Sequence, residues 1–591
     1  MPERTLWYGR CVAVCLTWLA CLASVDESPA QVQADRWGVG RWDQRDHLRR
    51  KIEQSAFAGR DVQFVTGIET PLGKVHRDKL WFKGEISDAV EISAAKNETE
   101  SFQLAVIPLA DDGLKGIDLQ WQDLVGQTSG AVIDRENLNI WRIGYVQIDE
   151  SIRPSFPGEW PDPLLPMAPM DLEADELGGI WVEIKVPGNA EADVYRGTIS
   201  VSALDCEDVS VSLKVTVMDF ALPEEHVFRT TTWVMPSSLK SRYGPDKELE
   251  MFRTYCGAFL EHKISPLNVG KSYYKKDDYS VVDANIALAL EGGLSTFEIP
   301  RLKGEELHRY CEHLREKNWF DKAMIYGHKD EPAEEDYPAF REDSREIRKV
   351  EPDLKIFMAE SPHPGLYGAV DVWWASMVDE NRAFVRDRLG AGDEVWWYRC
   401  GIPVRCRFNR PYWEFPSDAL IDRPSIDARI FYWMSWKFGM TPATFFWCGI
   451  QWGEMIPEDW PADGTPIVLP RQGSDVYSGT RNGDGWVMYP GAEGPLPSIR
   501  LKCIRDGIED YEYLWVLAKR LDEIRCMTRP QGPNVIAETE RLLAVSHELV
   551  VDTDYYAKDP ERLLACRESI ARQILKLQKI ISPGGDSLGP E

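Results

Sequence analysis

The sequence predicts a multidomain chain of the β plus α/β class, with an N-terminal β-sandwich, then a (β/α)8 barrel, then C-terminal helices packed on the barrel. Three patterns carry that expectation. Apolar and polar residues alternate with period two from about Asp61 to Leu222; short apolar runs then alternate with amphipathic stretches; the last part is helical throughout. A chain of 591 residues is too long for one core at roughly 150 residues per domain. The boundaries drawn from these patterns are 1–30 for an export signal, 61–222 for the sandwich, 223–523 for the barrel and 524–582 for the closing helices.

The first segment places Arg4 and Arg10 ahead of about fifteen mostly apolar residues, and small residues suited to a signal peptidase follow near Ala23 and Ala30. That apolar run falls short of the ~20 residues a bilayer core requires. Export to a periplasmic or extracellular space follows, with no membrane insertion after the signal is removed. A lipid anchor on Cys21 fits poorly, because Trp18 stands where such a signal wants an aliphatic residue. With a formal charge of -28 and no basic stripe, the chain repels phosphate backbones, so no nucleic-acid partner is expected. The nine histidines are dispersed, and no Cys or His spacing matches a metal site, so neither metal nor cofactor is expected. No pattern specifies an oligomeric state.

Within the sandwich, "DVSVSLKVTVMDF" sets Val209, Val211, Leu213, Val215 and Val217 against Ser210, Ser212, Lys214 and Thr216, giving one apolar and one wet face. "SFQLAVIP", "WVEIKVP" and "GTISVSA" repeat the alternation, with glycine- and proline-containing turns between strands, as in an immunoglobulin-like sandwich. After it, eight runs read as strands: "TTTWVMPSS", "ISPLNVG", "STFEIP", "KAMIYGH", "LKIFMAES", "AVDVWWASM", "DEVWWYRCG" and "ATFFWCGI". Eight βα units over about 270 residues match a TIM-type barrel. In the helical part, Arg505 and Glu509 share a face, as do Asp506 and Asp510; with Arg500 they read as an ion network that locks the helix after strand eight to the barrel.

Asp330 and Glu331 stand side by side after the fourth run and before Pro332. One reading is the charged start of a surface helix, where acids cap free N–H groups. The other is chemical, since a barrel collects its catalytic groups at the carboxyl ends of its strands, and Pro332 breaks the strand so that neighbouring side chains can serve one cavity. Aromatic residues crowd the second half of the barrel. Trp374, Trp397, Tyr398, Trp447 and Trp452 are candidates to line a cleft for a glycan, because ring faces stack on the C–H faces of pyranoses; strand alternation turns about half of such rings toward the helices instead. His328 is a candidate to tune the acid pair through a hydrogen bond.

The phrases "KDEP" (329–332), "VWWY" (395–398), "RIFYWMSWKFGM" (429–440) and "PSIRLKCIRDGIEDYEYLW" (497–515) together resemble the catalytic domain of glycoside hydrolase family 123. "NETESFQLAV" and "WVEIKVPGNAEADVYRGTISV" resemble its N-terminal domain. The resemblance implies β-N-acetylgalactosaminidase activity by substrate-assisted retention. Glu331 would then protonate the glycosidic oxygen and later deprotonate water, and Asp330 would orient the 2-acetamido group, with Tyr398 a donor to its oxygen. Two alternatives stand beside it: a conventional retaining glycosidase with Asp379, Glu380 or Glu454 as nucleophile, and a carbohydrate-binding protein on a barrel that has lost catalysis. The stretch "VLPRQGSDVYSGTRNGDGWVMYP" is a long insertion expected to reshape the lip of the cleft.

Overall fold

The alternating segment forms most of two sheets that share one apolar core, six strands of one and all seven of the other, in a computed structural model describing residues 41–582 apart from 79, 81, 149–155, 377–381, 400–418, 441–442, 446–465, 469–481, 484–486, 528–532 and 554. One sheet is built on Phe64–Glu69, Thr99–Pro108, Gly178–Lys185 and Leu138–Ile148; the other on Leu114–Trp121, Val194–Ser202, Val209–Ala221 and Ala89–Lys96. Val209–Ala221 buries its valines and exposes their polar neighbours, as its alternation requires. Thr99–Pro108 and Gly178–Lys185 depart from that rule. Both are buried on both faces, because the outer face of their sheet is covered by a C-terminal helix. The insertion begins by joining this same sheet, with Ile467–Val468 pairing in parallel beside Val146 and Gln147.

Eight short strands follow: β1 (Thr230–Thr232), β2 (Ile264–Pro266), β3 (Phe297–Ile299), β4 (Ala323–Tyr326), β5 (Lys355–Met358), β6 (Val372–Ser376), β7 (Glu394–Arg399) and β8 (Ala443–Phe445). Each falls inside one of the eight runs read from the sequence. They make a single sheet in the order β2-β1-β8-β7-β6-β5-β4-β3, and every pairing in it is parallel. Parallel neighbours need crossovers. Helices α1 (Pro236–Tyr243), α2 (Glu248–Glu261), α3 (Ser280–Glu291), α4 (Gly304–Glu316), α5 (Tyr337–Val350), α6 (Arg382–Gly390) and α7 (Ile426–Phe438) supply them, except between β5 and β6, where a single 3₁₀ turn at Pro364–Leu366 suffices. One face of the sheet gathers Leu267, Met324, Phe357, Val372, Trp374 and Trp396 with Trp233 and Tyr326, and the other packs on the helices.

The chain closes with α8 (Ile499–Cys526), α9 (Pro533–Leu543) and α10 (Pro560–Ile581). α8 is capped by the Ser498 hydroxyl, which accepts from the Leu501 N–H at 3.1 Å. Gly507 sits mid-helix because a Cβ there would strike the Tyr432 ring and approach the Arg429 carbonyl to 2.7 Å, so only glycine lets α7 and α8 lie this close. The ion network read from the sequence is real but wider than expected. Arg429 of α7 holds Asp510 with two bonds of 2.7 and 2.8 Å, while Arg505 reaches Glu183 at 2.7 Å and Ser101 at 3.0 Å on the N-terminal sheet. Burial would raise the Glu183 carboxyl, but Lys502 and Arg505 outweigh it and hold it down at about 2. The network therefore fastens α8 to the N-terminal sheet as well as to α7. Among the described residues, no helix is long and apolar enough to cross a membrane.

Candidate active site

Two contacts fix the end of β4. Gly327 passes so close to α5 that a Cβ would overlap the Phe340 ring, which leaves glycine as the residue that fits. Arg301, just beyond β3, donates to the carbonyls of Gly327 at 3.1 Å and His328 at 2.5 Å, and its other terminal nitrogen holds the buried Asp343 of α5 at 2.5 Å. Asp330 and Glu331 leave from this clamped segment. Arg301→Met is therefore expected to lower kcat about tenfold or more with little change in KM, since small misplacement of reacting groups is costly; an unchanged kcat would show that the clamp does not align the pair.

Glu331 adopts φ +41°, a left-handed conformation that a glutamate takes only when its surroundings impose it, and such strain gathers at functional sites. Its side chain is exposed and makes no hydrogen bond or ion pair with the described residues. Partial burial first, and the charge of Asp330 second, raise its carboxyl above the ordinary range. Asp330 is also exposed, and its Oδ1 accepts from the Tyr326 hydroxyl at 2.5 Å. Neither acid caps the following helix: the Ala333 N–H is taken by Asp336 at 3.0 Å, and Lys329 pairs with that same carboxylate at 2.6 Å. The N–H at the start of the 3₁₀ turn that leads into α5 is thus bound by Asp336 and by neither Asp330 nor Glu331.

Tyr326 links the pair to the apolar face of the sheet. Its ring packs edge-on against Phe357 at 4.9 Å and Trp374 at 6.2 Å, and Trp233 packs edge-on against the same Trp374 at 5.1 Å. The Trp233 indole N–H donates to the buried Glu298 at 3.0 Å, and Lys271 pairs with Glu298 at 2.6 Å. A third acid lies within electrostatic reach of Glu331, just past the next strand. Burial, and after it the charge of Glu331, raise the carboxyl of Glu360, which follows β5. Sequence reasoning missed Tyr326, Glu298, Lys271 and Glu360. Their shared signal is a polar residue within or just past a strand otherwise made of apolar ones.

Several expected residues sit elsewhere. Trp374 is only 1% exposed and supports Tyr326 and Trp233 from below, so it offers no free face to a sugar. Trp397 points away from that face and packs on Phe431 and Phe438 of the α7 region, because alternation along β7 turns Trp396 to the inner cluster and its neighbour to the helices. His328 is exposed, and its imidazole bonds neither acid of the pair. Tyr398 lies in β7 opposite Ser376 and Thr444, but its side chain falls outside the described residues, as do Trp447, Trp452, Asp379, Glu380 and Glu454. Among the described residues, no group of three or more His, Cys, Asp or Glu side chains is placed to hold a metal ion.

Comparison with known proteins bears on this arrangement. The family model described as glycoside hydrolase 123, catalytic domain, matches residues 301–517, and that of the glycoside hydrolase 123 N-terminal domain matches residues 79–203. A solved family 123 glycoside hydrolase from Clostridium perfringens, described in terms of glycolipid glycan hydrolysis, is similar with a TM-score of 0.61 at 15% identity, over 88% of this chain and 98% of that one. At that identity the likeness speaks for the fold. A family 5 xyloglucanase from Bacteroides ovatus aligns at 9% identity over 71% of this chain and 98% of that one, with a TM-score of 0.25, too low to support an argument. A search of curated proteins returned no match.

Proposed function

Since the chain belongs to glycoside hydrolase family 123, we propose that it removes terminal β-linked N-acetylhexosamine, N-acetylgalactosamine in the first instance, by substrate-assisted retention. The observation that carries this reading is the acid pair itself: a strained Glu331 whose raised carboxyl bonds none of the described residues, beside an Asp330 fixed by Tyr326. Protonated Glu331 donates to the glycosidic oxygen as the bond breaks. Asp330 holds the acetamido N–H, so that the carbonyl oxygen of the same group attacks the anomeric carbon and closes an oxazolinium ring. Glu331, now ionised, takes a proton from the water that opens it. Acids on adjacent residues approach one side of the sugar, and a nucleophile carried by the substrate supplies the opposite face.

The eight-stranded sheet closes into a (β/α)8 barrel in this reading. Its edge strands β2 and β3 are consecutive in the chain, Ser265 on β2 bonds Ser295 beside β3 through its hydroxyl at 2.9 Å, and Gly270 lies against Phe297. The two N-terminal sheets form a sandwich in the same reading, and the chain works outside the cytoplasm after losing residues 1–30. A second reading is favoured by Glu360, which would serve as a separate nucleophile in a conventional retaining enzyme. The two readings differ in whether the acetamido group of the substrate is required. Aryl β-glycosides varied at C2 and C4 test the proposal. Turnover of the 2-acetamido substrates and none of their 2-hydroxy counterparts is expected, whereas equal turnover of both would overturn it.

A further inference from the structure

Glu298 is the middle residue of β3 and is only 3% exposed, yet it carries a charge into a cluster of aromatic rings. Burial pushes its carboxyl up in spite of Lys271 and Trp233. Both of its bonds to described residues, from Lys271 Nζ at 2.6 Å and Trp233 Nε1 at 3.0 Å, fall on Oε2. Oε1 receives none among the described residues. A buried ion pair contributes little net stability over apolar residues of similar volume, so packing alone gives weak reason to keep one here. The Glu298 charge acts on the hydroxyl of Tyr326, which donates to Asp330 and accepts from the Ala359 N–H at 3.4 Å. Glu298 is thus within electrostatic reach of the tyrosine that holds Asp330, and it lies on the strand next to β4, opposite Met324.

We propose that Glu298, steadied by Lys271 and Trp233, is a specificity-determining residue that accepts hydrogen bonds through Oε1 from the C3 and C4 hydroxyls of the sugar ring whose acetamido group Asp330 holds. Lys271, half in solvent, donates to the oxygens of the same hydroxyls. The ligand class is a pyranose with both hydroxyls free. This assignment rests on the hydrolase reading above and adds to it the residues that read the ring.

The test is a cycle of enzyme and substrate changes. Wild type and Glu298→Gln are assayed on the aryl β-glycoside that wild type hydrolyses fastest and on its 3-deoxy and 4-deoxy analogues, with thermal unfolding followed in parallel. The variant is expected to lose roughly tenfold or more in kcat/KM on the parent sugar and several-fold less on at least one deoxy analogue, because the lost acceptor had a partner only in the parent. Equal losses on all three substrates, or no loss, would show that Glu298 only braces Lys271 and Trp233. If Glu298→Gln unfolds, Lys271→Met takes its place in the same cycle with the same outcomes. Absence of turnover by wild type on every aryl glycoside would instead sink the hydrolase reading, and this assignment with it.

Discussion

Glu331→Gln is expected to lower kcat by roughly 10²–10⁴-fold, the range that a positioned general acid supplies, while its unfolding temperature stays close to that of the wild type. The side chain makes no bond with the described residues, so its replacement disturbs no partner among them. The loss should shrink for aryl groups that leave without protonation, because the acid then has less to do. The pH profile carries the same assignment. A general acid works in its protonated form, and burial with the Asp330 charge raises Glu331, so activity should persist above the ordinary carboxylate range and fall as pH climbs through the raised value. Asp330→Asn removes the like charge and should move that alkaline limb to lower pH in whatever activity remains. An unshifted limb would mean that another group sets it.

Asp510→Ala is expected to destabilise the fold by about 3–5 kcal/mol, the cost of leaving a buried partner charge uncompensated. Asp510 is fully buried, takes two bonds from Arg429, one from the Trp433 indole at 2.9 Å, and lies 3.3 Å from Arg567 of α10. Removing it leaves Arg429, itself 1% exposed, with a single longer contact to Asp506 at 3.5 Å, at the point where α7, α8 and α10 meet. Breaking the exposed pair of Lys576 and Glu538 should cost no more than about 1 kcal/mol. Chemical denaturation of the two variants makes the comparison, and equal losses would show that the buried network is not what fastens these helices.

The strands were legible because period and spacing are local properties: all eight short runs became neighbours in one parallel sheet, and the valines of Val209–Ala221 face inward as written. Contacts between distant segments were not. Nothing local in "WVEIKVP" announces that Glu183 meets Lys502 and Arg505 across more than three hundred residues, so a strand that should have shown one wet face is buried on both. The acid pair could be found from its place at the end of a strand. Its tryptophan neighbours could not be sorted, because a strand assigns alternate residues to opposite faces and the sequence does not say which face is which; Trp396 and Trp397 divided accordingly. Glu298 escaped notice because a single charge inside "STFEIP" reads as the exposed half of an alternation, whereas parallel strands covered on both sides have no exposed half.

Inhibition by a thiazoline mimic of the cyclised acetamido intermediate tests the central claim most directly. If Asp330 and Glu331 serve a nucleophile that the substrate itself provides, the mimic should bind at least about 10²-fold more tightly than the parent sugar, as analogues of such states do, and Asp330→Ala should abolish most of that gain. A mimic bound no better than the free sugar by an enzyme that still turns over would contradict it, and would move the nucleophile to a protein carboxylate such as Glu360.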